Sequence, residues 1–222
     1  MSDSPSRPTH VVPLGCSCRV SYQARAYFGS KKSYPFDWWL TSIDGLTRYL
    51  SDPDPDRVYG PGALEELVVD GHVASVVATE FGFRLYHDFP RWDVGVPQRR
   101  VVAPGWQAHV PEMRARHARR LDRMLALDRP GRRILFVRDR LDFDESRTET
   151  KEESVEELWT TLSKRWSHAE IKLLLLNVPR SVQIPESGVR CVSFEDIRGE
   201  GPNGWQGVSS RWAQAFANAG VQ

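Results

Sequence analysis

Apolar and polar positions along the chain follow two rhythms. The first apolar run, "HVVPLG", is short and nearly continuous and ends on Gly15, which predicts a buried strand. Ser17 then stands where a helix cap would, and "CRVSYQARAYF" predicts a helix from about Cys18 to Gly29. "KKSYPFDWWL" reads as a turn or extended segment, because Pro35 steers Tyr34 away from helix. "SIDGLTRYLSD" predicts a helix closed by "PDPD". Alternation near residues 73 to 78 and 82 to 88 predicts an antiparallel strand pair. "GVPQRRVVAPGW" reads as loop.

The pattern then becomes helical again. In "PEMRARHARRLDRMLAL", Met113, His117, Leu121 and Leu125 recur every fourth residue, and Arg114, Arg116, Arg119, Arg120 and Arg123 cover the other sides. The last third alternates strand and helix: "RRILFVRD", "KEESVEELWTTLSKRW", "IKLLLLNV", "VRCVSFED" and "GVSSRWAQAFANAG". Strand, helix, strand implies a right-handed parallel crossover. The expected fold is therefore α/β: one domain over residues 9–222 with an open, mainly parallel sheet flanked by helices, after a disordered tail at residues 1–8. A papain-like α+β arrangement is the alternative. The charged stretch "DRLDFDESRTETKEESVEEL" reads as a solvated loop leading into a helix, with a lid over a site as the other reading.

Composition narrows the partners. With 222 residues the chain suits one domain, and 30 Lys+Arg against 29 Asp+Glu give no global field toward nucleic acid or an anionic membrane. No apolar run approaches the ~20 residues that span a bilayer, and "MSDSPSRPTH" lacks the hydrophobic region of a signal peptide. A soluble, cytoplasmic protein without nucleic-acid or membrane partners is expected. Eight tryptophans, several in Gly- and Pro-rich contexts, are expected to pin loops or line pockets.

Three cysteines, Cys16, Cys18 and Cys191, make a sparse, odd set and are read as free thiols. Cys18, at the start of its helix, has the setting of a nucleophile. A helix N-terminus lowers a thiol pKa, and its N–H groups can hold an oxyanion. Cys191 reads as a small buried hydrophobe. "CSC" would need a second ligand pair to hold zinc, and the chain has none, so neither metal nor cofactor is expected. Among six histidines, His87, at the end of its strand, has the most informative setting as a base. Asp88 would face away from it on a strand. Asn177, at the C-terminal end of "LLLLN", lies where open α/β sheets place functional groups and is preferred as the third member. Arg138, ending "ILFVR", would grip a carboxylate or phosphate, or be paired with a nearby acid.

"PLGCSCRVSYQARAYF", then "SYPFDWWLTS", "FRLYHDFP", a basic helix and "ILFVRD" resemble a bacterial family of papain-like cysteine peptidases over roughly residues 11 to 180. The resemblance implies Cys18 as nucleophile and His87 as base, and it places Pro35, Phe36, Asp37 and Trp38 near the site. Asp37, Trp38, Asp88 and Arg138 are then candidate substrate-binding residues. The expected activity is thiol-dependent acyl transfer on a small-molecule or peptide substrate, hydrolytic or to another acceptor, through an acyl-enzyme. A non-catalytic sugar- or peptide-binding module with a structural Cys18 is the alternative.

Overall fold

The computed structural model describes residue 8 and residues 10–95, 100–139, 152–177, 188–193 and 204–220. The expected tail at residues 1–8 lies almost entirely outside the described residues, as does most of the charged stretch read as loop or lid. Four strands, β1 (His10–Pro13), β7 (Arg133–Asp139), β8 (Glu170–Leu176) and β9 (Val189–Val192), form one all-parallel sheet in the order β1-β7-β8-β9. The α/β fold with a mainly parallel sheet flanked by helices is thus the architecture of the molecule.

Period-two alternation explains why both faces are covered. Val12, Leu14, Phe136, Leu173 and Leu175 point into one core, together with α2 (Ile43–Ser51) and α5 (Glu152–Arg165). Their neighbours Val11, Leu135, Val137, Leu174 and Leu176 point the other way. There they meet Val20 and Ala24 of α1 (Cys18–Phe28) and Trp212, Ala215 and Phe216 of α6 (Ser209–Asn218). A parallel sheet buried on two sides needs near-continuous apolar strands, which is the pattern of "IKLLLL".

The stretch between α2 and β7 contains most of what the pattern missed. Asp54 caps a short helix, α3 (Pro55–Tyr59), inside the segment expected only to stop the preceding one. A three-stranded sheet, β2 (Leu64–Val69), β3 (His72–Ala78) and β4 (Phe83–Arg84), is antiparallel throughout. The expected pair is there, but β4 stops at Arg84, so His87 lies in a turn and not on a strand. A hairpin of β5 (Arg91–Asp93) and β6 (Arg100–Val102) partly replaces the loop expected there.

The basic helix α4 (Val110–Leu125) buries Met113, His117, Leu121 and Met124. Leu125, expected in the stripe, is only partly buried, because 3.6 residues per turn carries a spacing of four around the helix onto Met124. Trp39 and Trp106 pin their segments as expected, whereas Trp92 stays exposed. No helix among the described residues is long and apolar enough to cross a membrane.

Candidate active site at the sheet edge and the adjoining basic cleft

The turn from β1 into α1 is built from two consecutive left-handed residues, Gly15 (φ 79°) and Cys16 (φ 73°). A side chain at Gly15 would put its Cβ 2.6 Å from Thr41 Oγ1, so the glycine is required by space as well as by conformation. Cys16 has a Cβ and is held in this costly region from outside: its N–H donates to Thr41 Oγ1 at 3.0 Å, and its side chain is buried. Thr41 in turn donates to the Leu14 carbonyl and accepts from Arg138 Nη1 at 2.8 Å.

Arg138 is fully buried, and its guanidinium donates to the carbonyls of Leu14 and Thr41. It therefore ties the 34–41 segment to the sheet in place of the substrate grip that the sequence suggested. Cys191 is half-buried against the core rather than fully enclosed, because β9 is an edge strand.

Three strand ends then meet. Ser17, in extended conformation at the N-cap of α1, makes no side-chain cap. Its hydroxyl donates instead to Asp139 Oδ2 at 3.2 Å, and Asn177 Nδ2 donates to Asp139 Oδ1 at 2.6 Å. Asn177 has φ 60°, a conformation asparagine tolerates better than most residues. Asp139, 2 % exposed, thus bridges the ends of β1 and β8 across β7. It went unnoticed in the sequence although it ends "ILFVRD", the same C-terminal strand position that singled out Asn177.

Cys18 opens α1 beside this bridge and is partly exposed. Burial pushes its thiol pKa up. Its own N–H, the Arg19 charge and the Arg19 N–H all pull the other way without prevailing. The helix terminus was expected to lower this pKa; desolvation outweighs it, so the resting thiol is protonated at neutral pH and needs a base. The two N–H groups that favour the thiolate are nevertheless the donors an oxyanion would use.

His87 lies on the wall of a cleft of about 270 Å³ lined by Trp38, His87, Asp88, Arg116 and Arg120. Its ring packs edge-on to Trp38 at 5.6 Å and to Tyr86 at 5.0 Å. Desolvation there, reinforced by Arg91, lowers its pKa, with Asp88 pulling upward, so the imidazole is neutral at pH 7. Asp88 turns inward and accepts from Trp39 Nε1 at 2.7 Å and from the Tyr59 hydroxyl at 2.5 Å.

Asp37 is fully buried, bonded to Arg25 and to the Tyr34 N–H; burial raises its pKa to about 6 against the pull of Arg25. It holds the 34–41 loop and is closed to a substrate. Trp38 does face the cleft, and Arg25 of α1 lies over its ring at 5.7 Å.

Helix α1 therefore joins the two regions, with Cys18 in its first turn and Arg25 seven residues on, about 10 Å along the axis. Among the described residues no hydrogen bond or ring contact links Cys18 to His87. Also among the described residues, no group of three or more His, Cys, Asp or Glu is arranged to hold a metal ion.

A relative from Acanthamoeba polyphaga mimivirus, "Uncharacterized protein R408", is 23% identical over 231 residues, covering 96% of this chain and 99% of its own. This relative is viral and lends no support to a bacterial attribution. No solved structure matches the chain. The family model described as "Putative papain-like cysteine peptidase" matches residues 9–179, a span that holds Cys18, His87, Asp139 and Asn177, and the chain belongs to that family.

Proposed function

We propose that the protein is a thiol-dependent acyl-transfer enzyme in which Cys18 is the nucleophile and His87 the base. The observation that carries this reading is the place of Cys18: first residue of a helix that follows the first parallel strand, with backbone donors and no side-chain cap. In the reaction the Cys18 sulfur bonds to an amide, ester or thioester carbonyl carbon as the thiol proton passes to the neutral imidazole. The N–H groups of Cys18 and Arg19 take the oxyanion. Collapse breaks the bond to the leaving amine, alcohol or thiol, which receives the proton from His87. Water, or another acceptor, then attacks the thioester and restores Cys18.

A nucleophile and base that lack a hydrogen bond in the unliganded protein are compatible with this chemistry, since such bonds often tighten only around bound substrate. Asn177 supports the site by fixing the carboxylate of Asp139. A second reading gives the base role to Asp139 and is favoured by its hydrogen bond to Ser17, the residue preceding the nucleophile.

The test is the pH dependence of iodoacetamide alkylation at Cys18, followed by peptide mass spectrometry, in the native protein, His87→Ala and Asp139→Asn. Slower labelling near neutral pH in His87→Ala alone supports the Cys18–His87 pair, and slower labelling in Asp139→Asn alone transfers the role. Rates unchanged in both variants would sink the enzyme reading and leave the binding module in its place.

A further inference from the structure

The cleft has more cationic charge than its own residues neutralise. Arg116 and Arg120 lie four residues apart on α4, hence one above the other on the same face, and both line the cavity. Arg116 Nη2 reaches Asp88 only at 3.5 Å, at both Oδ1 and the backbone carbonyl, and otherwise contacts the Met113 sulfur. Arg120, half-buried, makes neither a hydrogen bond nor an ion pair among the described residues.

The nearby carboxylates are already engaged. Asp88 accepts from Trp39, Tyr59 and Arg116, and Asp37 accepts from Arg25 and Tyr34. Three guanidinium groups, Arg25, Arg116 and Arg120, thus share two carboxylates, Asp37 and Asp88. Burial, then the charge of Arg116, make Arg120's ionisation harder, and Asp37 and Asp88 pull the other way without prevailing.

We propose that this cleft is a binding site for the phosphate group of a small phosphomonoester, gripped by Arg116 and Arg120 with Trp38 and His87 as its walls. A carboxylate has two oxygens, enough for one guanidinium fork. A phosphomonoester's three terminal oxygens can serve both forks by sharing one oxygen, with a further lone pair for the His87 N–H, and its second charge balances the second arginine. The volume, about 270 Å³, holds a phosphate and one adjoining ring, and Trp38 in its lining offers that ring an aromatic neighbour. The inference concerns binding and stands apart from the thiol chemistry of Cys18, since the measurement below requires no turnover.

The experiment is isothermal titration of the full chain with inorganic phosphate, with acetate as comparison, at fixed pH and ionic strength. Saturable one-to-one phosphate binding is expected, with acetate weaker by about tenfold or more. Arg120→Gln is expected to weaken phosphate by at least about tenfold, and Arg119→Gln, the same charge change on the exposed side of the same helix, by less than about twofold. Arg120→Lys keeps the charge but not the fork; it should melt at the wild-type temperature and bind phosphate at least about threefold more weakly. Equal losses in the Arg119 and Arg120 variants, acetate binding as tight as phosphate, full affinity in Arg120→Lys, or no saturable binding at all would each overturn the proposal.

Discussion

Two buried titratable groups should oppose each other in the acid stability of this protein, and the sharper test is His117→Phe. His117 is stacked on Trp39 at 4.7 Å, and its Nε2 pairs with the Tyr49 hydroxyl at 2.6 Å. Burial, aided by Arg120, lowers its pKa from 6.5 to about 3. A base held neutral in the fold contributes stability above 6.5 that is lost as the pH falls toward 3. Between pH 7 and pH 5 this group should therefore cost about 2 kcal/mol.

Asp37 has the reverse sign: its pKa rises from 3.8 to about 6, so its contribution is present at low pH and lost as the pH climbs through 6. Acidification from pH 7 to pH 5 should return about 1 kcal/mol through Asp37. The native protein is thus expected to lose about 1 kcal/mol or less from these two groups, because the terms partly cancel. His117→Phe keeps the ring on Trp39 and leaves the Tyr49 hydroxyl without its partner, a loss of about 1–3 kcal/mol that does not depend on pH. The variant, though weaker overall, should become more stable on going from pH 7 to pH 5, whereas Asp37→Asn should become less stable by about 2 kcal/mol over the same interval. Urea unfolding of the three proteins at both pH values measures this. Parallel pH trends in all three would refute the assignment of the acid response to these residues.

Other substitutions test the turn that presents Cys18. Gly15→Ala combines a left-handed backbone with a Cβ 2.6 Å from Thr41 Oγ1, and should destabilise by about 2 kcal/mol or more in chemical denaturation while slowing Cys18 alkylation. Thr41→Val deprives the Cys16 N–H and Arg138 Nη1 of an acceptor in a buried setting; the urea midpoint should fall by an equivalent of about 2–4 kcal/mol, and a loss below about 0.5 would contradict the clamp. Ser17→Ala removes a bond to Asp139 but no helix cap, so it should cost less than the ~1 kcal/mol of a lost N-cap, readable as a small shift in melting temperature.

The sequence was legible where one physical cause acts locally. Continuous apolar runs marked β1, β7 and β8, the capping position marked α1, and the spacing of apolar residues marked α4. It was less legible where tertiary contacts decide. β2, whose residues are mostly exposed or half-buried, pairs through its backbone with β3 and has no alternating apolar face to announce it. The alternation of "FRLYH" predicts a strand through His87, but β4 gives way to a turn that sends Asp88 inward to Trp39 and Tyr59. Arg138 stands next to the end of its strand, like a ligand-binding residue. Only the loop carrying Thr41, 97 positions away in the chain, shows that its two terminal nitrogens donate internally. The pKa of Cys18 was misjudged for the same reason: the helix terminus is visible in sequence, and the burial that outweighs it is not.

His87 belongs to both proposals, as the base for Cys18 and as a wall of the cleft, and that sets a further expectation. In the unliganded protein both members of the proposed pair are neutral, the thiol raised and the imidazole lowered, which is a poor state from which to move a proton. An anion seated between Arg116 and Arg120 would lie against His87 and oppose the desolvation and the Arg91 charge that depress it, favouring the imidazolium. Binding in the cleft would then raise the basicity of the group that must accept the Cys18 proton, so the nucleophile would become competent only with the cleft filled. Saturating inorganic phosphate should therefore speed iodoacetamide labelling of Cys18 at neutral pH, and the acceleration should vanish in both His87→Ala and Arg120→Gln. An acceleration that persists in His87→Ala would show that the anion acts on the thiol by another route. Labelling indifferent to phosphate, in a protein that binds it, would separate the cleft from the chemistry at the sheet edge.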